Sequence, residues 1–248
     1  MQHSSFILLV KCLLIIIRHQ CVGTDWQVSV TEESREIHLG EYEAIMEDKE
    51  CYDVLVSSKG DLLVGRDGGL DIISPSTGEI LKSLPFDDRE CVTIEVHNDT
   101  VVFTVNTKKI PGKSMFIIMD NDYKEIKRWS TQYCAVDFTI ADNKLFVTLG
   151  SWQRSTDIKV YSLEGEEMTN ISWSGEALGI AGIEPNSIVY CDQSQHRVYK
   201  RTVTPNNTDI EWVADVKAPY NLHIAVNGLI WVRSDRNDCL TILNRDGR

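Results

Sequence analysis

Between Cys51 and Leu243 the apolar residues come in short runs, too short for helices, rich in β-branched and aromatic side chains and separated by Gly, Asn, Asp, Ser and Pro. Such runs predict strands joined by tight turns. The runs also repeat: Cys51, Cys91, Cys134, Ala177 and Pro219 each open the same series at intervals of 40 to 43 residues. The first run of each series is Val54-Leu55-Val56, Ile94-Glu95-Val96, Phe138-Thr139-Ile140, Ile180 to Ile183 and Ile224-Ala225-Val226. Turn-forming pairs follow at Lys59-Gly60, Asn98-Asp99, Asp142-Asn143, Pro185-Asn186 and Asn227-Gly228. The second run is Leu62-Leu63-Val64, Val101-Val102-Phe103, Leu145-Phe146-Val147, Ile188-Val189-Tyr190 and Leu229 to Val232. A third run covers Leu70 to Ile73, Met115 to Ile118, Ile158 to Tyr161, Val198-Tyr199 and Leu240 to Leu243, and a shorter, more polar fourth includes Ile80 to Leu84, Ile126 to Trp129 and Ile210 to Val213.

Four strands in each forty-odd residues is the unit of a β-propeller blade, whereas a β-sandwich has no reason to repeat a four-strand unit of near-constant length five times. The fold expected is all-β, a β-propeller of four-stranded antiparallel blades at about 51–90, 91–133, 134–176, 177–218 and 219–248. Trp26 to Val30 and Glu36 to Tyr42, within 26–45, read as the last strands of a partial blade, and the final unit offers three strands. Two closures are open: a five-bladed ring in which an N-terminal strand completes the last sheet and removes its edge, or an incomplete six-bladed ring.

Composition narrows the function classes. The 248 residues are 42% hydrophobic and 25% charged, the balance of a folded chain with a sizeable core. The net charge is −12, and Lys11 and Arg18 are the only charged side chains among residues 1–23, so the excess of carboxylates belongs wholly to the repeats. A field of that sign disfavours nucleic acid and anionic lipid and suits neutral or basic protein partners. The seven cysteines stand nine or more residues apart, without the C-x2-C spacing of RING, B-box or zinc-finger modules, and are expected to be reduced and buried. Residues 1–23 form a separate leader: Phe6 to Ile17 is apolar, too short to span a bilayer, and is followed by Cys21-Val22-Gly23, which has the small residues of a signal-peptidase site. Lys11 within the apolar run and the lack of Lys or Arg before it argue against a signal peptide, which leaves cytoplasmic and secreted readings side by side. In a secreted protein, Asn98, Asn170 and Asn206 would be glycosylation acceptors.

The fourth unit contains Ile188-Val189-Tyr190-Cys191-Asp192-Gln193-Ser194-Gln195-His196-Arg197-Val198, which resembles an NHL repeat: apolar residues, an Asp ending the second strand, then His-Arg-Val opening the third. Gln195 replaces the usual Asn. The fifth unit keeps Ile230-Trp231-Val232 and Asn237 but departs at Ser234 and Cys239, and the first three keep only the apolar skeleton. The chain is similar to the divergent NHL-type six-bladed propellers at the C-terminus of invertebrate tripartite-motif (TRIM) proteins. That resemblance implies recognition of substrates or partners, and without a RING or B-box it carries no ligase activity to this chain.

Candidate chemistry is sparse. Asp53, Thr93, Asp137 and His223 fall at matching places in the first strands, where side chains converge on a channel mouth, and Asp53, Asp137 and His223 are the metal-ligand candidates of a calcium-dependent hydrolase. Asp192 and Arg197 are expected to pair between the second and third strands, with His196 beside them. No Gly-x-Ser-x-Gly or metal-spaced histidine motif exists. Gly65-Arg66-Asp67-Gly68-Gly69 lacks the Gly-Lys-Ser/Thr of a phosphate loop and is expected to be a hairpin turn. Trp129, Trp173 and Trp212 fall in fourth strands, where packing at the outer edge is the expected role. The function expected is therefore a non-catalytic, cofactor-free propeller that binds another protein; the alternative is a secreted propeller acting as an extracellular ligand-binding protein or calcium-dependent hydrolase.

Overall fold

The computed structural model describes residues 51–107, 113–151, 154–172, 175–183, 186–204, 207–225, 227–234 and 240–248. The leader, the partial blade at 26–45, Cys12, Cys21, Cys239, Trp173 and Asn206 lie outside the described residues. Strands dominate what is described: β1 (Cys51–Val56), β2 (Leu62–Ile73), β3 (Ile80–His97), β4 (Thr100–Thr107), β5 (Ser114–Met119), β6 (Glu125–Ser130), β7 (Cys134–Ala141), β8 (Lys144–Ser151), β9 (Arg154–Ser162), β10 (Glu167–Ser172), β11 (Ala177–Ile183), β12 (Ser187–Asp192), β13 (Arg197–Thr204), β14 (Asn207–Asp215), β15 (Pro219–Ile224), β16 (Ile230–Ser234) and β17 (Leu240–Leu243). β7 to β10 and β11 to β14 form four-stranded antiparallel meanders, and β15 to β17 a three-stranded one. β1 to β6 form a single six-stranded sheet that carries the first two units.

Turn chemistry explains the hairpins between first and second strands. Gly60, Asn98, Asp142, Asn143 and Gly228 all have positive φ, as expected of the residue types that tolerate it. Each first strand also starts with a register shift, at Cys51/Asp53, Cys91/Thr93, Ala135/Asp137, Ala177/Ile180 and Pro219/Asn221. The bulge recurs at the same place in each first strand, where it locally bends and twists the chain.

The sheets pack face to face through four apolar layers. Leu55, Leu63, Leu70 and Ile72 meet Ile94, Phe103 and Ile117 between the first and second units. Phe116 and Ile118 meet Phe138, Leu145 and Val147 in the next layer, Phe146, Ile158 and Val160 meet Ile180, Ile188 and Tyr190 in the third, and Val189 and Val198 meet Leu222, Ile230 and Val232 in the fourth. Residues of one strand alternate between layers, Ile117 facing one way and Phe116 and Ile118 the other, so the period-2 pattern of the sequence becomes two buried faces per sheet. The fold is a β-propeller.

The first unit carries its second and third expected strands in one element. The Gly65 to Gly69 segment lies inside β2 and reverses the chain, as expected of a hairpin turn: the N-terminal half of β2 pairs with β1, its C-terminal half pairs with β3, and Ile73 packs in one buried cluster with Leu62 and Val64. β3 is likewise shared, pairing with β2 through residues 80–90 and with β4 through residues 89–97. Gly68, at φ 73, lies at the reversal. What holds the bend is a buried ion pair: Arg66 Nε and Nη2 donate to Asp71 Oδ2 and Oδ1 at 2.5 and 2.8 Å, and Nη2 also donates to Ser83 Oγ at 3.0 Å. Pairing with Asp71 holds the Arg66 guanidinium above its ordinary pKa.

Candidate functional site

The inner strands carry the sequence's metal-ligand candidates, and the structure gives their carboxylates a different task. Asp53 Oδ1 accepts the N–H of Val54 at 2.9 Å, and its Oδ2 accepts the N–H of Ile94, in the next unit, at 2.8 Å. Asp137 repeats this: Oδ1 accepts from Phe138 at 2.9 Å and Oδ2 from Ile180 at 3.0 Å. Each carboxylate thus ties its own bulged strand to the first strand of the following unit, satisfying N–H groups that the bulge leaves without ladder partners. Burial drives the Asp137 pKa up to about 7, against the two N–H donors that favour its charged form, and the nearby Asp53 and Glu95 carboxylates push it further up.

His223 does not join this set. The register places Asn221 at the position of Asp53 and Asp137, since Asn221 follows the β15 bulge and its Oδ1 accepts the Leu222 N–H at 2.7 Å. His223 lies two residues further along, paired with Trp231. Apolar spacing missed this because the run Ile224-Ala225-Val226 outlasts the strand: β15 ends at Ile224, paired with Ile230 as Val56 is with Leu62. Among the described residues no three His, Cys, Asp or Glu side chains come together as metal ligands.

The NHL-like motif is also absorbed by the fold. Asp192 and Arg197 are in register across β12 and β13, but Arg197 Nε pairs with Asp215 Oδ1 on β14 at 3.1 Å rather than with Asp192. Asp192 is buried and its Oδ1 accepts from the Gln195 N–H at 2.9 Å and Ser194 Oγ at 2.7 Å, bracing the β12–β13 turn. His196 sits at φ 58 in that turn, and its Nδ1 accepts the Ala218 N–H at 2.9 Å, fastening the link to β15. Asn98 is exposed in the β3–β4 turn; Asn170 is exposed on β10, its amide 3.5 Å from Asp157 Oδ2.

Residues that sequence reasoning passed over do similar work. Asn106 Nδ2 donates to Ala135 O at 3.1 Å, and Ser114 Oγ, bonded to Asn106, accepts the Ala135 N–H at 2.7 Å, a tie between the second and third units. Thr148 Oγ1 donates to Leu178 O at 2.8 Å and Thr139 Oγ1 accepts from Gly182 N at 2.9 Å. The legible signal was a polar residue inside an apolar strand.

With the inner polar groups committed to scaffolding, the outer strands stand out. The N-terminal half of β3 exposes Ile80 and Leu81, β6 exposes Ile126, β10 exposes Met168 and β14 exposes Ile210 and Val213, with 59% of Ile126 and 55% of Leu81 open to solvent. Among the described residues β6, β10 and β14 are edge strands, so apolar side chains and strand edges share the outer rim.

No family model and no curated protein matches the sequence. Solved structures do. A Bacteroides caccae protein of unknown function superposes with a TM-score of 0.64 at 13% identity, covering 81% of this chain and 80% of that one. The WD40 domain of Neurospora crassa Pan2 gives 0.60 at 15% identity, over 78% of this chain and 62% of that one, and BamB from Moraxella catarrhalis gives 0.56 at 14% identity, over 76% and 56%. At such identities the likeness is one of fold, and the fold they share with this chain is the β-propeller.

Proposed function

We propose that this propeller is a non-catalytic recognition module that binds another protein through its outer rim. The observation that carries the reading is the apolar row along the outer strands, Ile80, Leu81, Ile126, Met168, Ile210 and Val213, on a chain whose net charge is −12. Exposed apolar side chains on edge strands invite association, and a folded protein that keeps them gains a contact surface. The engagement of Asp53 and Asp137 by backbone N–H groups supports the same reading over calcium-dependent hydrolysis, because both carboxylates already serve as structural acceptors. The finer assignment, a partner-recruiting propeller of the NHL type found in tripartite-motif proteins, rests on the Asp192, His196 and Arg197 motif.

Photo-crosslinking residues placed at Ile126 and Met168 test the proposal against the same residue at Asn143, in the turn between β7 and β8. Expected are specific protein adducts from the rim positions, direct binding of the purified adducted protein, and loss of that binding in I126E and M168E. Calcium-dependent ester or lactone hydrolysis that disappears in D53N and D137N overturns it.

A further inference from the structure

Two of the layers between units are sealed at their outer end in the same way. Trp129 of β6 stacks on Phe116, ring centroids 4.4 Å apart, and lies over Gly165, where a Cβ would stand 2.6 Å from the indole. Trp212 of β14 lies over Gly247, where a Cβ would also stand 2.6 Å from the indole, and its Nε1 donates to Arg245 O at 2.8 Å. Gly165 and Gly247 occupy identical places in identical five-residue turns. In Ser162 to Glu166 and Asn244 to Arg248 the first residue's N–H donates to the fifth residue's carbonyl, the fourth donates to the first carbonyl, and the first side chain accepts the third and fifth N–H groups. The fourth residue has positive φ, 84° and 75°. The glycine allows both the φ and the close approach of the indole.

The turn Asp120 to Lys124 repeats every one of these bonds, with Tyr123 as its fourth residue at φ 58. Among the described residues no tryptophan meets it. The outer strand of the preceding unit supplies Lys82 and Leu84, paired with Ile72 and Leu70, and Lys82 Nζ donates to Tyr123 O at 2.5 Å. The Tyr123 ring turns towards β1, its hydroxyl donating to Asp61 Oδ2 at 2.5 Å and accepting from Ser57 Oγ at 2.8 Å. What remains at the outer end of this layer is a groove of about 330 Å³, at the small end of ligand sites, lined by Leu84, Phe86, Phe103, Ile117 and Met119. Its rim carries Lys82, Lys124 and Arg128 against one carboxylate, Glu125, which is paired with Arg128. A basic rim is unusual on so acidic a chain.

We infer that this groove is the seat of an aromatic side chain from a partner's peptide segment, a tryptophan or phenylalanine flanked by Asp or Glu, placed where the second and fourth layers seat Trp129 and Trp212 of the chain itself. The inference rests on the protein-recognition reading and names the partner chemistry for one stretch of the rim. An indole supplies large contact area, and the basic rim selects acidic flanks.

The test follows methyl NMR signals of Ile117 and Met119 and the anisotropy of a fluorescein-labelled peptide with a central Trp between Asp and Glu. Expected are saturable shifts of both methyls, at least about tenfold weaker binding when the Trp is Ala, weaker binding at high salt, and loss of binding in L84W, whose indole occupies the groove and raises the melting temperature. Should L84W fail to fold, the surface pair K124E/R128E keeps the question decidable: it must weaken the peptide about tenfold or more. Equal binding of the Trp and Ala peptides, unaltered binding by K124E/R128E, or binding of phosphatidylserine vesicles without peptide binding overturns the inference. If the rim crosslinks at Ile126 and Met168 persist in that event, only the groove assignment falls; if they are absent too, the recognition reading falls with it.

Discussion

Asp137 shows how one side chain can be both glue and strain. Its two oxygens accept N–H groups from Phe138 and Ile180, yet it is buried beside Asp53 and Glu95, and its pKa stands at about 7. Because the folded value lies above the unfolded one, near 4, the folded protein holds a proton between those values that the unfolded chain has released. This group's contribution to stability therefore falls as pH rises from about 4 through about 7 and is level above that range. Glu211, held at about 2 mainly by Lys200, Thr202 and Ser187 against the opposing effect of burial, loses its contribution only at lower pH and does not interfere. The expected outcome is a urea midpoint that declines between pH 5 and pH 8 in the wild-type protein and declines less in D137N. Equal slopes would show that Asp137 titrates normally.

Among the elements, β2 is the one braced by a buried ion pair. Two apolar runs separated by five residues including three glycines read as two strands and a hairpin, and β2 makes that reversal. Arg66 braces it by reaching Asp71 on the returning half and Ser83 on β3, which pairs alongside. Arg66→Met strands the Asp71 carboxylate in a site where its side chain is only 6% exposed, and a loss of about 3–5 kcal/mol in urea unfolding is expected. The double variant R66M/D71L should recover most of that loss, because the desolvated charge leaves with its partner. A loss under about 1 kcal/mol in R66M would show that this surface behaves as an ordinary exposed ion pair.

At the scale of the whole molecule the apolar layers are where the units meet, and cysteines report on them. Cys91 lies in the first layer and Cys191 in the fourth; burial pushes both thiols well above their ordinary pKa, and Cys134 is raised for the same reason. The four described cysteines are unbridged. A thiolate reagent at pH 8 should therefore modify Cys91, Cys134 and Cys191 only as fast as the layers open, with half-buried Cys51 ahead of them, and urea should abolish the difference. Rapid native labelling of Cys91 or Cys191 would mean that the layers separate readily. The same layers explain the groove: the second and fourth are sealed by an indole from the preceding outer strand, and at the first, where that strand carries Lys82 and Leu84, the proposal leaves the seal to another molecule.

How much of this was legible in the sequence follows from the range of each interaction. Period-2 apolar runs, turn residues that accept positive φ and a spacing of 40 to 43 residues are local facts, and they determined by themselves that the chain makes strands, hairpins and a propeller. The pairing of Arg197 with Asp215 instead of Asp192, the shift from His223 to Asn221 and the open seat above Tyr123 were decided only in the tertiary structure. The physical reason is common to all three. An apolar run can outlast the strand it starts, and a side chain chooses among partners that distant segments deliver, neither of which changes the hydrophobic pattern from which the fold is read.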